Sequence, residues 1–132
     1  MLNFQYIQTQ HAEIIQGFNC PDEPSVEIFL KEQALTLHQL RSAVTRLYFD
    51  ENQNLVGYFT LFNDHIYIYP QQKEKYMWML PEELDYFPAI KIHYLGVDNR
   101  YRGLGYGRYL LAEAVYVINC QRRNSFDPPA PE

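Results

Sequence analysis

Four short runs of mainly apolar, β-branched and aromatic residues, bounded by polar residues, predict β-strands, and in the last run apolar and polar residues alternate. The segments are residues 4–7 (FQYI), 44–50 (VTRLYFD), 55–62 (LVGYFTLF) and 89–97 (AIKIHYLGV). The polar run ENQN at 51–54 predicts a hairpin turn between the second and third strands. The following HIYIY, residues 65–69, either lengthens the third strand or begins another one.

Apolar residues at helical spacing predict helices in three other places. A helical turn or short helix is expected at 11–17, a longer helix from Ser25 to about Leu40, and the strongest helix at 104–119. Ser25 is the expected N-cap of the second helix, and Glu27 adds favourable charge to its first turn. The apolar face predicted for the last helix consists of Gly107, Leu110, Leu111, Ala114, Val115 and Ile118.

Proline-rich segments separate or follow these elements. Residues 70–88 contain three prolines and many charges, so we expect a loop there, with a short helix near Glu82–Tyr86. Residues 122–132 form a Pro-rich tail that is not expected to continue regular structure. The chain of 132 residues is therefore predicted to form one domain over residues 1–121, followed by this tail.

The composition is that of a globular protein, with 47% hydrophobic and 16% aromatic residues. No apolar run is long enough to span a membrane, and the N-terminus lacks the pattern of a secretory signal. The two cysteines, Cys20 and Cys120, lie far apart and in no metal-binding spacing. These features favour a cytoplasmic protein with reduced thiols.

The charge is distributed unevenly along the chain. The net charge is −5, which argues against a broad nucleic-acid or membrane-binding surface. The segment 98–123 nevertheless contains five arginines and only two acidic residues. A local positive region on an acidic protein suits a small anionic ligand better than a polyanion.

The sequence DNRYRGLGYGRYLL, residues 98–111, places glycines 103, 105 and 107 between the last predicted strand and the last predicted helix. The first turn of a helix has unpaired N–H groups and the positive end of the helix dipole. Glycines remove the side chains that would keep a phosphate away from those groups. The sequence therefore predicts a phosphate or pyrophosphate site. The alternative is that the glycines only allow close packing at the helix start.

The segment LGVDNRYRGLGYGRYLL resembles the cofactor loop of the GNAT acyltransferases, the GCN5-related N-acetyltransferase superfamily. Arg102, Gly105 and Gly107 match its Arg/Gln-x-x-Gly-x-Gly/Ala signature. FNCPDEPSVEIFLKEQA, residues 18–34, resembles the Phe-x-Cys segment of the toxin-type subfamily, although Pro21 replaces the usual glycine. The resemblance implies an α+β fold: a mixed, mainly antiparallel twisted sheet flanked by helices on both faces.

The resemblance also implies acetyl-CoA as cosubstrate. The Val97 N–H would stabilise the oxyanion that develops at the thioester carbonyl, Gly96 would form a bulge, and Leu95 and Val97 would pair with the pantetheine arm. Backbone N–H groups would hold the pyrophosphate, and nearby arginines would offset its charge. The cofactor-binding set implied in this loop is Arg102, Gly103, Leu104, Gly105, Tyr106, Gly107 and Arg108, with Arg100 as a further cation.

The acid–base groups are less defined by the sequence. Alternation places Lys91, His93 and Leu95 on one face of the 89–97 strand. Lys91 occupies the position of the Glu that serves as base in histone-type relatives, so His93 is the candidate replacement; the alternative is an ordinary half-buried histidine. Further candidates are His65, which has no special feature, and the acidic Glu82, Glu83 and Asp85, which either select a cationic amine or form a solvated loop.

Family members continue beyond this helix with further strands and a helix that carries a thiolate-protonating Tyr, so we expect a C-terminally incomplete domain. Tyr109 and Tyr116 lie on the earlier helix and do not match that Tyr. An exposed edge of the 89–97 strand would need covering, which suggests a homodimer through that edge.

Three functions follow from the resemblance. The first is N-acetyl transfer to an unidentified primary amine of a small molecule or a protein. The second is a non-catalytic CoA-binding or interaction module. The third is a toxin that acetylates aminoacyl-tRNA and has an antitoxin partner, against which the acidic net charge argues.

Overall fold

The computed structural model describes residues 1–67 and 86–126. Four strands form one sheet with the spatial order β1-β2-β3-β4, and every neighbouring pair is antiparallel. The strands are β1 (Asn3–Tyr6), β2 (Ala43–Phe49), β3 (Leu55–Tyr67) and β4 (Tyr86–Val97). The helices are α1 (Ala12–Gln16), α2 (Pro24–Glu32), α3 (Ala34–Gln39) and α4 (Tyr106–Phe126), with 3-10 turns at Thr9–His11 and Asn99–Tyr101. The predicted α+β architecture is confirmed.

Helices cover both faces of the sheet, and each face has its own core. On one face, helices α1 to α3 bury residues such as Phe18, Phe29 and Leu30 against the sheet. On the opposite face, α4 packs on β3 and β4 through Leu110 and Ala114, both fully buried. The glycine-rich segment therefore lies at the end of β4, between the two layers of helices.

The prediction of one helix from Ser25 to about Leu40 is wrong in two respects. Its N-cap is Glu23 rather than Ser25, because Pro24 occupies the first helical position, where the missing N–H and fixed φ of proline are tolerated. The helix is also interrupted at Gln33, whose φ of −123° separates α2 from α3. The interruption lets both segments bury residues in the same core, including Leu30 on α2 and Ala34 on α3.

The last helix differs from its prediction at both ends and in its buried face. It begins at Tyr106 because the residues before it include two glycines with φ near +80°, which no α-helix contains. It continues to Phe126, so the first residues of the predicted tail are helical. Among residues 106–120 of this helix the buried ones are Leu110, Ala114 and Val117, whereas Leu111 and Val115, predicted to lie on the apolar face, are nearly half exposed.

A β-bulge at His93 corrects the predicted faces of β4. Thr60 pairs with Tyr94 and Leu61 pairs with Ile92, so His93 is the extra residue, and the predicted bulge at Gly96 is wrong. Because one inserted residue reverses the alternation, Leu95 lies with the isoleucines on the α4 face. Tyr94 lies with His93 on the α2 face.

The strand and turn predictions are otherwise confirmed, with β3 longer than predicted and β4 beginning at Tyr86 inside the predicted 70–88 loop. The rest of that loop, including Glu82, Glu83 and Asp85, lies outside the described residues, as do residues 68–69 and 127–132. The His65 side chain also lies outside the description. Within residues 1–67 and 86–126, no helix has the length and apolar character needed to cross a membrane.

Candidate functional site

The glycine-rich loop is built around two residues in the left-handed backbone region. β4 ends at Val97, a 3-10 turn follows, and Gly103 and Gly105 then have φ values of +79° and +85°. Glycine adopts these values without the steric cost that a Cβ would impose. A Cβ placed at either glycine, or at Gly107 in the first turn of α4, would meet no other atom within 4 Å. The backbone around the helix start is therefore open to a ligand.

A cleft of about 280 Å³ lies between this loop, the end of β4 and the segment that precedes α2. Seven of the predicted site residues line it: Leu95, Val97, Arg102, Gly103, Gly105, Tyr106 and Gly107. Leu104 and Arg108 do not line it, and Leu104 is 66% exposed. The structure thus brings together most of the set that the sequence predicted.

The end of β4 offers unused backbone groups along one edge of this cleft. The Asp98 N–H donates to the Val56 carbonyl at 2.8 Å, which makes the neighbouring Gly57–Val97 pair a non-hydrogen-bonded one. The N–H groups of Leu95 and Val97 consequently point away from β3. In the described part of the chain, no strand pairs with that outer edge of β4. An extended ligand arm can add to the sheet there.

Asp98 ties the loop to the connection between α1 and α2. Its carboxylate is fully buried and accepts hydrogen bonds from the N–H groups of Asn19 and Arg100, both at 3.0 Å. The Asn99 N–H donates to the Asn19 carbonyl at 2.8 Å. These bonds join segments that are 79 residues apart in sequence. Asp98 therefore fixes where the glycine loop begins.

Two of the predicted phosphate-neutralising arginines are engaged with protein groups. Arg100 Nε bonds the Asp98 carboxylate at 3.0 Å, which raises the pKa of the guanidinium. Arg102 pairs with the largely exposed carboxylate of Asp22 at 3.1 Å, and its Nη2 donates to Cys20 Sγ at 3.1 Å. Arg108 has no ion pair within the residues that the structure describes. The positive charge available to a ligand is therefore smaller than the arginine count indicates.

His93, the predicted base, does not line the cleft. Its ring stacks on Phe62 with centroids 4.1 Å apart and meets the rings of Phe29 and Tyr94 edge-on. Burial, reinforced by the charge of Lys91, lowers the pKa of His93. The structure places this histidine in the aromatic packing under α2, apart from the residues of the cleft.

Three cleft residues were not predicted from the sequence: Cys20, Glu23 and Tyr101. The Tyr101 hydroxyl donates to Asp50 at 3.2 Å in the β2–β3 turn, and burial is the main cause that raises the Tyr101 pKa. Cys20 is 1% exposed, and its N–H donates to Glu27 Oε1 at 2.7 Å. The Phe-x-Cys resemblance drew attention to Cys20, but spacing alone gives no signal that this segment meets a loop so distant in sequence.

Comparison with known proteins bears on this arrangement. The model of the acetyltransferase (GNAT) family matches residues 11–122. The toxin AtaT, in complex with acetyl-methionyl-tRNAfMet, has a TM-score of 0.69 and 20% identity, over 89% of this chain and 69% of that one. A mutant of KacT has a TM-score of 0.68 and 25% identity, over 89% and 68%. AtaTR bound with AcCoA has a TM-score of 0.64 and 18% identity, over 89% and 64%. No curated protein matches the chain significantly.

Proposed function

Because the chain belongs to the acetyltransferase (GNAT) family, we propose that it binds acetyl-CoA in the cleft and transfers the acetyl group to a primary amine. The observation that carries the proposal is the meeting of two backbone features in one cleft. These are the outward edge of β4 at Leu95 and Val97, and the open glycine loop before α4. AcCoA-bound AtaTR has a similar fold, which supports the choice of cosubstrate.

The residues of the loop fit a pyrophosphate. Gly103 and Gly105 leave space beside the backbone, and Gly107 does so on the first turn of α4. The N–H groups at the start of this 21-residue helix have no intrahelical acceptors, and the helix dipole favours an anion there. Arg102 adds positive charge that is shared with Asp22. The loop therefore binds the diphosphate mainly through its backbone.

The end of β4 fits the pantetheine arm and the thioester. The N–H and carbonyl groups of Leu95 point outward and can pair with the amides of an extended arm. Acetyl-CoA supplies the activated acetyl group as a thioester. The Val97 N–H is then the donor for the carbonyl oxygen as negative charge develops on it, and a fixed donor of this kind stabilises the transition state.

Calorimetric titration with acetyl-CoA tests the proposal. We expect the wild-type chain to bind, and the double variant Arg102→Glu, Gly105→Glu to bind at least about tenfold more weakly, because it puts two carboxylates beside the diphosphate. The matched control is Arg41→Glu, which reverses an exposed charge at a residue outside the cleft. Absence of wild-type binding, or equal binding by the double variant, would overturn the proposal.

A second candidate function is acetyl transfer to aminoacyl-tRNA. The similarity to KacT and to AtaT bound to acetyl-methionyl-tRNAfMet supports it, whereas the net charge of −5 opposes a broad tRNA surface. The chain, acetyl-CoA and charged tRNA are incubated, and the esterified amino acid is examined for an acetyl group. Acetylation together with growth arrest on expression is the expected result for this function. Binding of acetyl-CoA without turnover on any amine or charged tRNA would instead identify a non-catalytic module.

The predicted homodimer through residues 89–97 has a structural consequence for this site. A partner strand that covered the whole edge would occupy the outward N–H groups of Leu95 and Val97. Dimerisation through that edge and binding of acetyl-CoA therefore compete. Sedimentation velocity with and without acetyl-CoA tests this, and the ligand is expected to shift any such dimer toward the monomer.

A further inference from the structure

Asp50 contacts the cleft residue Tyr101 and is engaged by the N–H groups of its own turn. Four further acidic residues lie at or beside the cleft, and three of them have protein partners. Asp22 pairs with Arg102 at 3.1 Å. Glu27 pairs with Lys31 at 3.1 Å and accepts the Cys20 N–H, and these bonds lower the Glu27 pKa. Asp98 is buried and accepts three hydrogen bonds from Asn19 and Arg100. The fourth is Glu23.

The backbone of Glu23 is held by two hydrogen bonds, whereas its side-chain carboxylate has no partner among the described side chains. Its N–H donates to the Cys20 carbonyl at 3.2 Å, and its own carbonyl accepts the Val26 N–H at 3.0 Å. It is the N-cap residue of α2, but its side chain makes no capping hydrogen bond. Among the residues whose side chains the structure describes, none forms a hydrogen bond or ion pair with the Glu23 carboxylate. The residue lines the same cleft as Leu95 and Val97.

We propose that the Glu23 carboxylate binds the acceptor in its ammonium form and so selects a cationic amine, which loses a proton to solvent before the neutral amine attacks the thioester. This inference rests on the proposed function. A free carboxylate beside a diphosphate loop weakens the binding of an anionic cosubstrate by repulsion. The same carboxylate favours binding when the second ligand, which enters next to the thioester, is a cation. Of the described residues that line the cleft, Glu23 is the only one with a carboxylate side chain.

Two synthetic thioethers of CoA provide the probes. One has an aminoalkyl group on sulfur, with a terminal ammonium, and the other has a neutral alkyl group of the same length. Titration calorimetry at low ionic strength gives the ratio of their dissociation constants for each protein. We expect the wild-type chain to prefer the ammonium probe by about two- to fivefold, the range of a partly exposed carboxylate–ammonium pair. The Glu23→Gln variant is expected to show no preference.

Glu32→Gln is the matched control, because Glu32 is an exposed carboxylate at the other end of α2 and does not line the cleft. It is expected to keep the wild-type preference. Thermal unfolding checks that Glu23→Gln leaves the fold intact, which we expect because the side chain does not cap α2.

The outcomes separate the two proposals. If neither probe binds the wild-type chain, the proposed function itself fails and this inference fails with it. If both probes bind the wild-type chain equally, acetyl-CoA binding stands and the role of Glu23 is refuted. A preference that Glu32→Gln also loses would reflect the overall charge of α2, which likewise overturns the assignment to Glu23.

Discussion

Replacing Asp98 by alanine should destabilise the chain and weaken binding in the cleft at the same time. Asp98 is fully buried, and its carboxylate accepts the N–H groups of Asn19 and Arg100, both at 3.0 Å. The Asp98→Ala variant leaves these two donors without the charged acceptor. Water has little access to replace an acceptor that is 0% exposed.

The size of the effect follows from these contacts. Each backbone N–H that loses a buried acceptor costs about 1–2 kcal/mol, so the two together cost roughly 2–4 kcal/mol. The Asp98–Arg100 ion pair adds less than about 1 kcal/mol, because the Arg100 side chain is 61% exposed. The free energy of unfolding should therefore fall by about 3 kcal/mol. This is a large share of the stability of a small domain.

Urea denaturation of the wild-type chain and Asp98→Ala measures the change. Asp50→Ala is the control for stability, because Asp50 also accepts two backbone N–H groups, from Asn52 and Asn54, but in an exposed turn where water replaces the carboxylate. It also accepts the Tyr101 hydroxyl, so it does not serve as a control for binding in the cleft. The control should lose no more than about 1 kcal/mol. Titration with acetyl-CoA, without urea and at a temperature where both proteins are folded, should show weaker binding for Asp98→Ala than for the wild-type chain. Equal stability losses in the two variants would refute the reasoning from burial.

Three other predictions concern glycines, titration and charge. Gly57→Ala places a Cβ 2.5 Å from the Gly96 carbonyl oxygen and should lower the free energy of unfolding by about 1–3 kcal/mol. Gly107→Ala places its Cβ in open space on a helix and should raise the free energy of unfolding by about 0.5–1 kcal/mol. Urea denaturation measures both changes. Because the pKa of His93 is lowered in the folded chain, the unfolded chain takes up the imidazole proton at a higher pH than the folded chain does. The contribution of His93 to the free energy of unfolding is therefore fully present above pH 6.5 and is lost as the pH falls through the folded pKa. His93→Phe, which keeps a ring against β3, should reduce that loss between pH 7.5 and 5, and an unchanged pH profile would contradict the assignment. Asp22→Asn removes the partner of Arg102 and should tighten acetyl-CoA binding about two- to fivefold at low salt, as titration calorimetry would show.

The sequence was sufficient to predict the features that depend on neighbouring residues. The strands, the hairpin turn and the glycine loop all follow from short runs of apolar and aromatic residues and from residues with special backbone freedom. Seven of the predicted cofactor residues line one cleft because they come from two adjacent segments, the end of β4 and the loop after it. The order of these residues along the chain is therefore enough to predict that they lie together.

Features that depend on distant contacts were not predictable in this way. The position of Glu23 in the cleft depends on the bonds of Asn19 with Asp98 and Asn99, which join segments far apart in sequence. The interruption at Gln33 reflects packing of two helical segments into one core, and no residue type in the sequence marks it. His93 was assigned to the site by counting along an unbroken strand, and the bulge removes the basis of that count.

The bulge also determines which length changes β4 can tolerate. Without His93, the segment would read Ile90, Lys91, Ile92, Tyr94, Leu95, Gly96, Val97. That shortened sequence alternates without a break, so the four α4-facing residues would keep their face. Deletion of Lys91, in contrast, would shift the upstream residues by one pleat and turn Ile90 to the opposite side. His93 is thus an insertion that the sheet accommodates by local curvature, and a homologue lacking it could retain the same two faces around the same cleft.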